Sequence, residues 1–309
     1  MPWVRRTLLA LGLVGLGAFL LTGAAMLRWY AAPRAALAPL DPDVTVTLAG
    51  SGAVYDLAAG GRRPERVTER VAIRGDAGTA GAAVWTVDRR LLGPGGVPLL
   101  LADERIALDR RTAAAVGCCG ERPAHHGLTY LFPAGVGRQD QQLYDPTTGR
   151  TTTARYAGAD AVAGRVTYRF EQSVPVTDVG PGALPGAPPI AATAPAGRLV
   201  AASQRTLWVE PASGVVIRVE EHRQRGLVRP GDPPLVLLDI RLTTDASSEH
   251  RLAELAGDRR ARLRALRAIG PLALAGAGLV LLLGGLGYRI VTMPGQSGSE
   301  GSTFGRDRW

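Results

Sequence analysis

The chain has 309 residues, with 36 basic and 27 acidic side chains and a formal net charge of +9. Every basic residue is arginine and asparagine is absent, which is the amino-acid usage of a GC-rich genome. The arginines are interleaved with acidic residues and form no clusters with aromatic side chains, so the charge does not indicate nucleic-acid binding. The only two cysteines are adjacent, which excludes a disulfide framework.

Two uncharged apolar runs, residues 7–27 and 268–288, lie near the two ends of the chain. As an α-helix, each would be about 31 Å long, enough to cross the hydrocarbon core of a bilayer. Arg5 and Arg6 precede the first run, as in an uncleaved signal anchor. Small residues at 31–33 leave a cleaved signal sequence as the open alternative. We expect two transmembrane helices that hold one large exported domain.

This pattern predicts six segments along the chain. The glycine- and serine-rich end of the sequence cannot bury a core and is expected to be disordered. Both termini are expected in the cytoplasm, with the protein in the cytoplasmic membrane. The predicted segments are a cytoplasmic amino terminus (1–6), a first transmembrane helix (7–27), an extracytoplasmic β domain (28–247), a stalk helix (248–267), a second transmembrane helix (268–288) and a cytoplasmic tail (289–309).

Basic side chains are concentrated just before the second apolar run. Leucines at helical spacing predict an amphipathic stalk helix over residues 248–267, capped by Ser248. Two interpretations of its arginines stay open. They bind anionic lipid headgroups, each contributing about 1 kcal/mol near a charged surface, or they form a solvated face with Glu254 and Asp258 as partners. The arginines are Arg259, Arg260, Arg262, Arg264 and Arg267.

The middle of the chain carries the alternation of β-strands. The alternating segments are shorter than the roughly ten-residue strands of a membrane-spanning barrel. A Pro/Gly/Ala-rich stretch, residues 179–197, predicts a flexible loop. The fold class expected is a mainly β exported domain, with a curved antiparallel sheet or half-barrel, between two transmembrane α-helices. The alternating segments are residues 44–48, 162–170, 206–209, 215–219 and 235–242.

Two turns of one pattern, residues 145–149 and 210–214, separate predicted strands. Asp145 and Glu210 can accept backbone N–H groups at the start of each turn. Gly149 and Gly214 supply a positive φ at its end, so each turn predicts a β-hairpin. The aromatic residues Tyr168, Phe170 and Trp208 are expected in the core of the sheet, while Glu220, Glu221, Arg218 and Arg223 are expected on its surface.

Cys118 and Cys119, followed by His125 and His126, are the one cluster that suggests metal or redox chemistry. Neighbouring side chains of an extended chain point in opposite directions, and the spacing matches no ordinary zinc site, so a metal is disfavoured. A vicinal disulfide, an intermolecular disulfide and loop residues without a role stay open. Because no nucleophile motif, catalytic set or cofactor motif occurs, we expect a protein that is not an enzyme and binds no cofactor.

A series of short segments, in one order with the two apolar runs, resembles the actinobacterial membrane-protein family labelled porin PorA-like. The resemblance implies an amino-terminal span, an exported β domain and a carboxyl-terminal span, and the label implies a pore. Ala113 stands where members of the family often carry glycine. The matching segments are residues 108–112, 130–133, 144–145, 156–164, 168–170 and 207–214.

The hairpin at residues 207–214 also resembles the sheets of periplasmic lipoprotein carriers and anti-sigma regulators, which hold acyl chains on a concave face. The main functional hypothesis is therefore a membrane-anchored envelope protein whose β domain binds a lipid-like ligand or another envelope component. A channel, porin or transport component is the alternative, and an envelope hydrolase is disfavoured. Membrane lipid is the expected partner, nucleic acid is not, and the oligomeric state stays open.

Overall fold

The computed structural model describes residues 2–56, 59–78, 81–182, 197–229 and 231–292. The chain divides into two compact units. A helical unit comprises Met1–Pro33 and Arg264–Trp309, and a β unit comprises Arg34–Leu263. The stretch predicted as a separate stalk therefore lies, up to Leu263, in the unit that contains the sheet.

The helical unit contains α1 (Pro2–Met26) and α4 (Gly270–Thr292), each of which adjoins a π-helical turn, Leu27–Ala31 and Ala265–Ile269 respectively. Both helices are apolar and long enough to cross a bilayer. They pack against each other where Gly17 meets Gly278. A Cβ at Gly17 would lie 2.7 Å from the carbonyl oxygen of Gly278, so the close approach requires glycine.

The β unit is built on one antiparallel sheet of ten strands, and the chain enters it through the short helix α2 (Ala32–Ala35). The sheet order is β4-β3-β2-β1-β10-β9-β8-β7-β6-β5. The mainly β, curled antiparallel fold predicted from the sequence is therefore confirmed. The strands are β1 (Asp43–Asp56), β2 (Gly61–Gly78), β3 (Ala82–Leu92), β4 (Pro98–Asp109), β5 (Gln141–Asp145), β6 (Arg150–Val162), β7 (Arg165–Gly182), β8 (Gly197–Val209), β9 (Val216–Val228) and β10 (Leu235–Thr244).

The segment between β4 and β5 connects the two edge strands of the sheet. Leu108 of β4 forms a bridge with Ala115, and Leu128 forms a bridge with Leu143 of β5. Between these two points, Ala114 forms a bridge with Leu128. Main-chain pairing thus covers each edge strand of the half-barrel at these points, which shortens the exposed edge that an open sheet would present.

The concave side of the sheet carries the core. One cluster of buried side chains centres on Phe132, Phe170 and Leu207, and includes Trp208. The prediction that Phe170 and Trp208 belong to the core is confirmed, and half-buried Tyr168 packs against the same cluster. Helix α3 (Ala246–Arg264) adds Leu252, Ala253 and Ala256 to this cluster, so its apolar face covers the sheet.

One local prediction about helix α3 is wrong. Asp245, not Ser248, caps α3: its side-chain oxygen accepts the Ser248 N–H at 2.6 Å, because the helix begins two residues earlier than expected. Gly50 and Gly52 lie inside β1. A Cβ at Gly50 would lie 1.8 Å from the Arg241 carbonyl oxygen, so this glycine allows close strand pairing.

The strand lengths also differ from the sequence prediction. All strands except the five-residue β5 contain between 10 and 18 residues, because polar and small residues continue the strands beyond their alternating centres. Val162, expected inside one strand, instead ends β6 before a turn to β7. Both ends of the loop predicted at residues 179–197 are strand instead, because β7 continues to Gly182 and β8 begins at Gly197. The rest of that prediction, residues 183–196, lies outside the described chain, as do residues 293–309 of the predicted tail.

Candidate functional site

The β unit contains a cavity of about 680 Å³. This volume falls within the range of about 300–1,000 Å³ that small-molecule sites occupy. Exposed charged residues, among them Arg34, Asp41 and Asp258, lie on its rim. Its walls are mostly apolar, with side chains that include Val46, Val71, Ile73, Trp85, Leu207 and Val219.

Four charged side chains from separate strands also line the cavity: Glu69 of β2, Arg89 of β3, Arg205 of β8 and Glu221 of β9. Each is less than one-tenth exposed. Buried charges require partners, because the free energy of removing them from water is otherwise not recovered. In this cavity, the charged side chains are partners of one another and of Arg223, in one network of ion pairs and hydrogen bonds.

Arg223 is the centre of this network and is 1% exposed. Its Nη2 donates to Glu69 Oε2 and to Glu221 Oε2, both at 2.9 Å. Arg89 Nη2 donates to the other oxygen of Glu69 at 2.8 Å. The hydroxyl of Thr147 donates to Glu221 Oε1 at 2.9 Å, so each carboxylate has several donors.

The arginines hold both carboxylates in the ionised form. Burial alone would raise the pKa of Glu221, but Arg223 and Arg205 lower it to about 2. The pKa of Glu69 is likewise lowered, because Arg223 and Arg89 outweigh the effect of burial. The network therefore consists of charged groups at neutral pH, not of protonated acids.

A second branch reaches the segment that connects the edges of the sheet. Arg89 Nη1 lies 3.7 Å from Glu104 Oε1, and the Tyr130 hydroxyl donates to Glu104 Oε2 at 3.2 Å. Fully buried His125 has Glu104 Oε2 at 3.2 Å from Nε2 and Glu121 Oε1 at 2.9 Å from Nδ1. These contacts fix the connecting segment to β4.

Three cavity-lining side chains carry a buried donor without a hydrogen-bond partner within the described part of the chain. The donors are the hydroxyl of Thr129 and the Nε–H groups of Arg89 and Arg205. Thr129 is 4% exposed, so its hydroxyl has little contact with bulk solvent. Buried polar groups without partners are uncommon in folded proteins, and each calls for a reason.

The predicted cysteine and histidine cluster does not form a single site. Cys118 and Cys119 are joined in a vicinal disulfide. His125 is buried in the network described above, whereas His126 is exposed. Among the residues that the structure describes, no group of three or more His, Cys, Asp and Glu side chains could hold a metal ion.

The predicted lipid-contacting arginines lie in different surroundings. Arg259 donates to the carbonyl oxygens of Ala36 and Leu37 at 3.2 and 3.1 Å, and burial lowers its pKa. Arg260 lies 3.7 Å from the buried Glu210 carboxylate. These two side chains therefore bind within the β unit. Arg262 and Arg264 are exposed and Arg267 is half-buried.

The two predicted hairpin turns connect β5 to β6 and β8 to β9. The Gly149 N–H donates to the Asp145 carbonyl oxygen at 2.8 Å, and the Gly214 N–H donates to that of Glu210 at 2.9 Å. Asp145 and Glu210 are both fully buried. The turns therefore pack into the protein and are not exposed loop ends.

Sequence reasoning missed the buried charges. Glu221 and Arg223 were expected on the surface, and this prediction is wrong, because both side chains are buried. Ile217 and Val219 begin the inward-facing row of β9, and a period of two continues that row to Glu221. Strict alternation along β9 was therefore the signal that could have shown Glu221 to be buried. Glu69, Arg89 and Glu104 lie in strands that the sequence analysis did not predict.

A more open concavity of about 940 Å³ crosses six strands of the sheet. Its lining is polar and includes carboxylates, arginines and hydroxyls in cross-strand rows. It differs from the first cavity because it has few apolar side chains. The lining side chains include Arg155, Glu171, Thr206, Glu220, His222 and Arg241.

A curled antiparallel sheet, joined in sequence to two helices long and apolar enough to cross a bilayer, defines the class of the chain as mainly β with two apolar terminal helices. More particularly, it belongs to the porin PorA family, whose family model matches residues 9–287. The match includes most of both apolar helices and the whole sheet, and it confirms the family resemblance noted in the sequence. No curated protein matches the sequence.

Proposed function

We propose that the protein is a channel or transport component of a membrane, as the name of its family indicates. The observation that carries this proposal is the family match over residues 9–287, which runs from the first apolar helix through the sheet to the second. The proposal differs from the main hypothesis drawn from the sequence, which was ligand binding, and it agrees with the alternative.

The proposed topology is a two-pass protein of the cytoplasmic membrane, with both termini in the cytoplasm and the β unit outside. Arg5 and Arg6 before the first helix favour a cytoplasmic amino terminus. Protease added to intact spheroplasts should digest the β unit and leave peptide tags at both termini uncut. Loss of both tags with survival of the β unit would overturn this topology.

The proposed pore is assembled from several copies, because the two helices of one chain are too few to enclose a channel. Two sets of glycines support such an assembly. Gly17 and Gly278 are used in the contact of α1 with α4, whereas Gly12 and Gly276 have open space around the position of a Cβ. Small residues on a free helix face allow another helix to approach closely in lipid.

Conductance of the purified full chain in planar bilayers tests this proposal. We expect discrete conductance steps that disappear in a Gly276→Leu variant, because the larger side chain keeps a neighbouring copy at a distance. Leu279→Ile, on the same helix and with the same size, is the matched control and should conduct normally. A wild-type chain that inserts fully and never conducts would exclude the channel.

A second candidate function is the binding of an apolar ligand in the cavity, and the apolar walls around about 680 Å³ favour it. We expect a specific molecule to be extracted from the purified full chain and identified by mass spectrometry. Val71→Phe, which fills the cavity, should remove it, while Val166→Phe on the exposed surface should not. Equal recovery of the molecule from both variants would rule out the cavity as its site.

A further inference from the structure

The tip of the β3–β4 hairpin is apolar and exposed. Residues 91–102, here called the apolar tip, run from the end of β3 through the turn into β4 and contain no charged or polar side chain. Residues 94–98 are all exposed. Val97 and Leu101 are 59% and 63% exposed, although surface turns are usually polar. A contiguous exposed apolar group of this kind indicates a surface that binds something.

Arginines flank the apolar tip on one face of the sheet. Leu101 of β4 lies directly opposite Arg90 of β3, and Arg90 lies directly opposite Arg70 of β2, so the three side chains share a face. Arg66 lies four residues from Arg70 along β2, toward the tip, and an even spacing keeps it on the same face. All three arginines are exposed.

The charges of this face do not cancel. Arg90 donates to both oxygens of Asp88, at 2.8 and 2.6 Å, and the exposed Asp103 lies opposite Asp88 on the side away from the tip. Arg66 and Arg70 have no ion-pair partner within the described part of the chain. Three arginines therefore face two carboxylates. Like charges directly opposite each other on a sheet repel, so an anion beside Arg70 would relieve its repulsion by Arg90.

We propose that the apolar tip and its arginines bind the surface of an anionic lipid membrane. Val97 and Leu101 enter the boundary of the acyl chains, while the guanidinium groups of Arg66 and Arg70 bind lipid phosphates. A soluble anion would leave the apolar tip in water, and an uncharged apolar partner would leave the arginines without a counter-charge. An anionic lipid surface supplies both contacts. The proposal depends neither on a channel nor on ligand binding in the cavity.

Surface plasmon resonance tests the proposal with the full chain in nanodiscs of uncharged phosphatidylcholine, and with empty nanodiscs as the background. Immobilised vesicles that contain phosphatidylglycerol should bind the chain at least about tenfold more tightly than vesicles of phosphatidylcholine alone. Arg70→Gln should weaken binding to the anionic vesicles about fivefold, the effect of one arginine near a charged surface. Leu101→Ser should weaken it about tenfold, because an apolar side chain no longer leaves water.

Arg155→Gln and Val166→Ser are the matched controls, on β6 and β7, and should leave vesicle binding unchanged. All four substituted side chains are exposed, so the variants should fold normally, which thermal unfolding verifies. Equal affinity for the two kinds of vesicle, or equal affinity of Leu101→Ser and wild type, would overturn the proposal. Nanodiscs that leave the vesicles unbound but associate in pairs would assign the face to a second copy of the chain, and would overturn it as well.

Discussion

Arg223 and Glu69 are 154 residues apart in the chain and form an ion pair at 2.9 Å in the interior of the β unit. Arg223 lies on β9 and Glu69 on β2, and the sheet places β1 and β10 between these two strands. The contact therefore crosses the concave side of the sheet instead of joining neighbouring strands. It can form only because the sheet is strongly curled, and it stabilises that curvature.

Arg223→Met should lower the free energy of unfolding by about 3–5 kcal/mol, because Glu69 and Glu221 would remain buried without their shared partner. Denaturant unfolding followed by tryptophan fluorescence measures the change. The control is Arg90→Met, since Arg90 is exposed and water screens its ion pair with Asp88, so that its loss should change the stability much less. Equal effects of the two substitutions would show that the buried network does not stabilise the fold.

Acid should destabilise the β unit through Glu221. Its pKa is about 2 in the folded protein against an ordinary value of 4.5, so the stabilisation is complete above the ordinary value and is lost as the pH falls toward 2. We expect a decrease of roughly 3 kcal/mol over this window. Glu221→Gln should be less stable at neutral pH and should show a shallower acid dependence.

Urea unfolding at several pH values between 5 and 2 measures this slope. Glu171→Gln is the matched control, because the Glu171 side chain lies on β7 and is exposed. Its stability should depend on pH as steeply as that of the wild type. If the stability of Glu221→Gln fell with acid as steeply as that of the wild type, groups other than Glu221 would be responsible for the acid sensitivity.

The mainly β fold and the two apolar helices could be predicted because both depend on local patterns. Val215 to Val219 shows the period of a strand, and residues 268–288 show the length of a membrane helix. The buried network could not be predicted in the same way. Glu69 and Arg223 meet only after ten strands have paired and curled, and no local pattern records which distant strands face each other.

The pairing at the edges of the sheet could not be predicted from local sequence patterns either. The chain between β4 and β5 reads as an irregular loop, yet Leu128 pairs with both Ala114 and Leu143. Such single bridges carry no alternation, because they involve one or two residues at a time. The alternatives for Cys118 and Cys119 also stayed open, because adjacency in sequence does not fix the backbone conformation that decides whether two neighbouring thiols can pair.

Gly214→Ala should destabilise the protein by more than about 2 kcal/mol. The residue has φ +77°, and a Cβ there would lie 2.0 Å from the Phe132 carbonyl oxygen, so both the backbone and the packing oppose a side chain. Gly164→Ala is the matched control, with φ +71° and open space around it, and should cost about 1 kcal/mol. Thermal unfolding of both variants measures the difference, and a smaller loss at Gly214 than at Gly164 would contradict the prediction.

Asp245→Ala should lower the stability of α3 by about 1 kcal/mol, because the Ser248 N–H loses its acceptor at 2.6 Å. Amide hydrogen exchange over the first turn of α3 reports the change directly. Asp245→Asn retains a side-chain oxygen and should restore most of the protection. The cap assignment would be incorrect if exchange in this turn were the same in the alanine variant and the wild type.

Gly278→Leu should separate α1 from α4. A Cβ at Gly278 would lie 2.8 Å from the carbonyl oxygen of Gly17 on the opposite helix, so any larger side chain must push the helices apart. Gly276→Leu places the same side chain on the same helix where no atom lies within 4 Å. In nanodiscs, spin labels near the amino-terminal end of α1 and near the carboxyl-terminal end of α4 should therefore show a longer distance in Gly278→Leu and an unchanged distance in Gly276→Leu. An unchanged distance in both variants would mean that the Gly17–Gly278 contact does not hold the pair together.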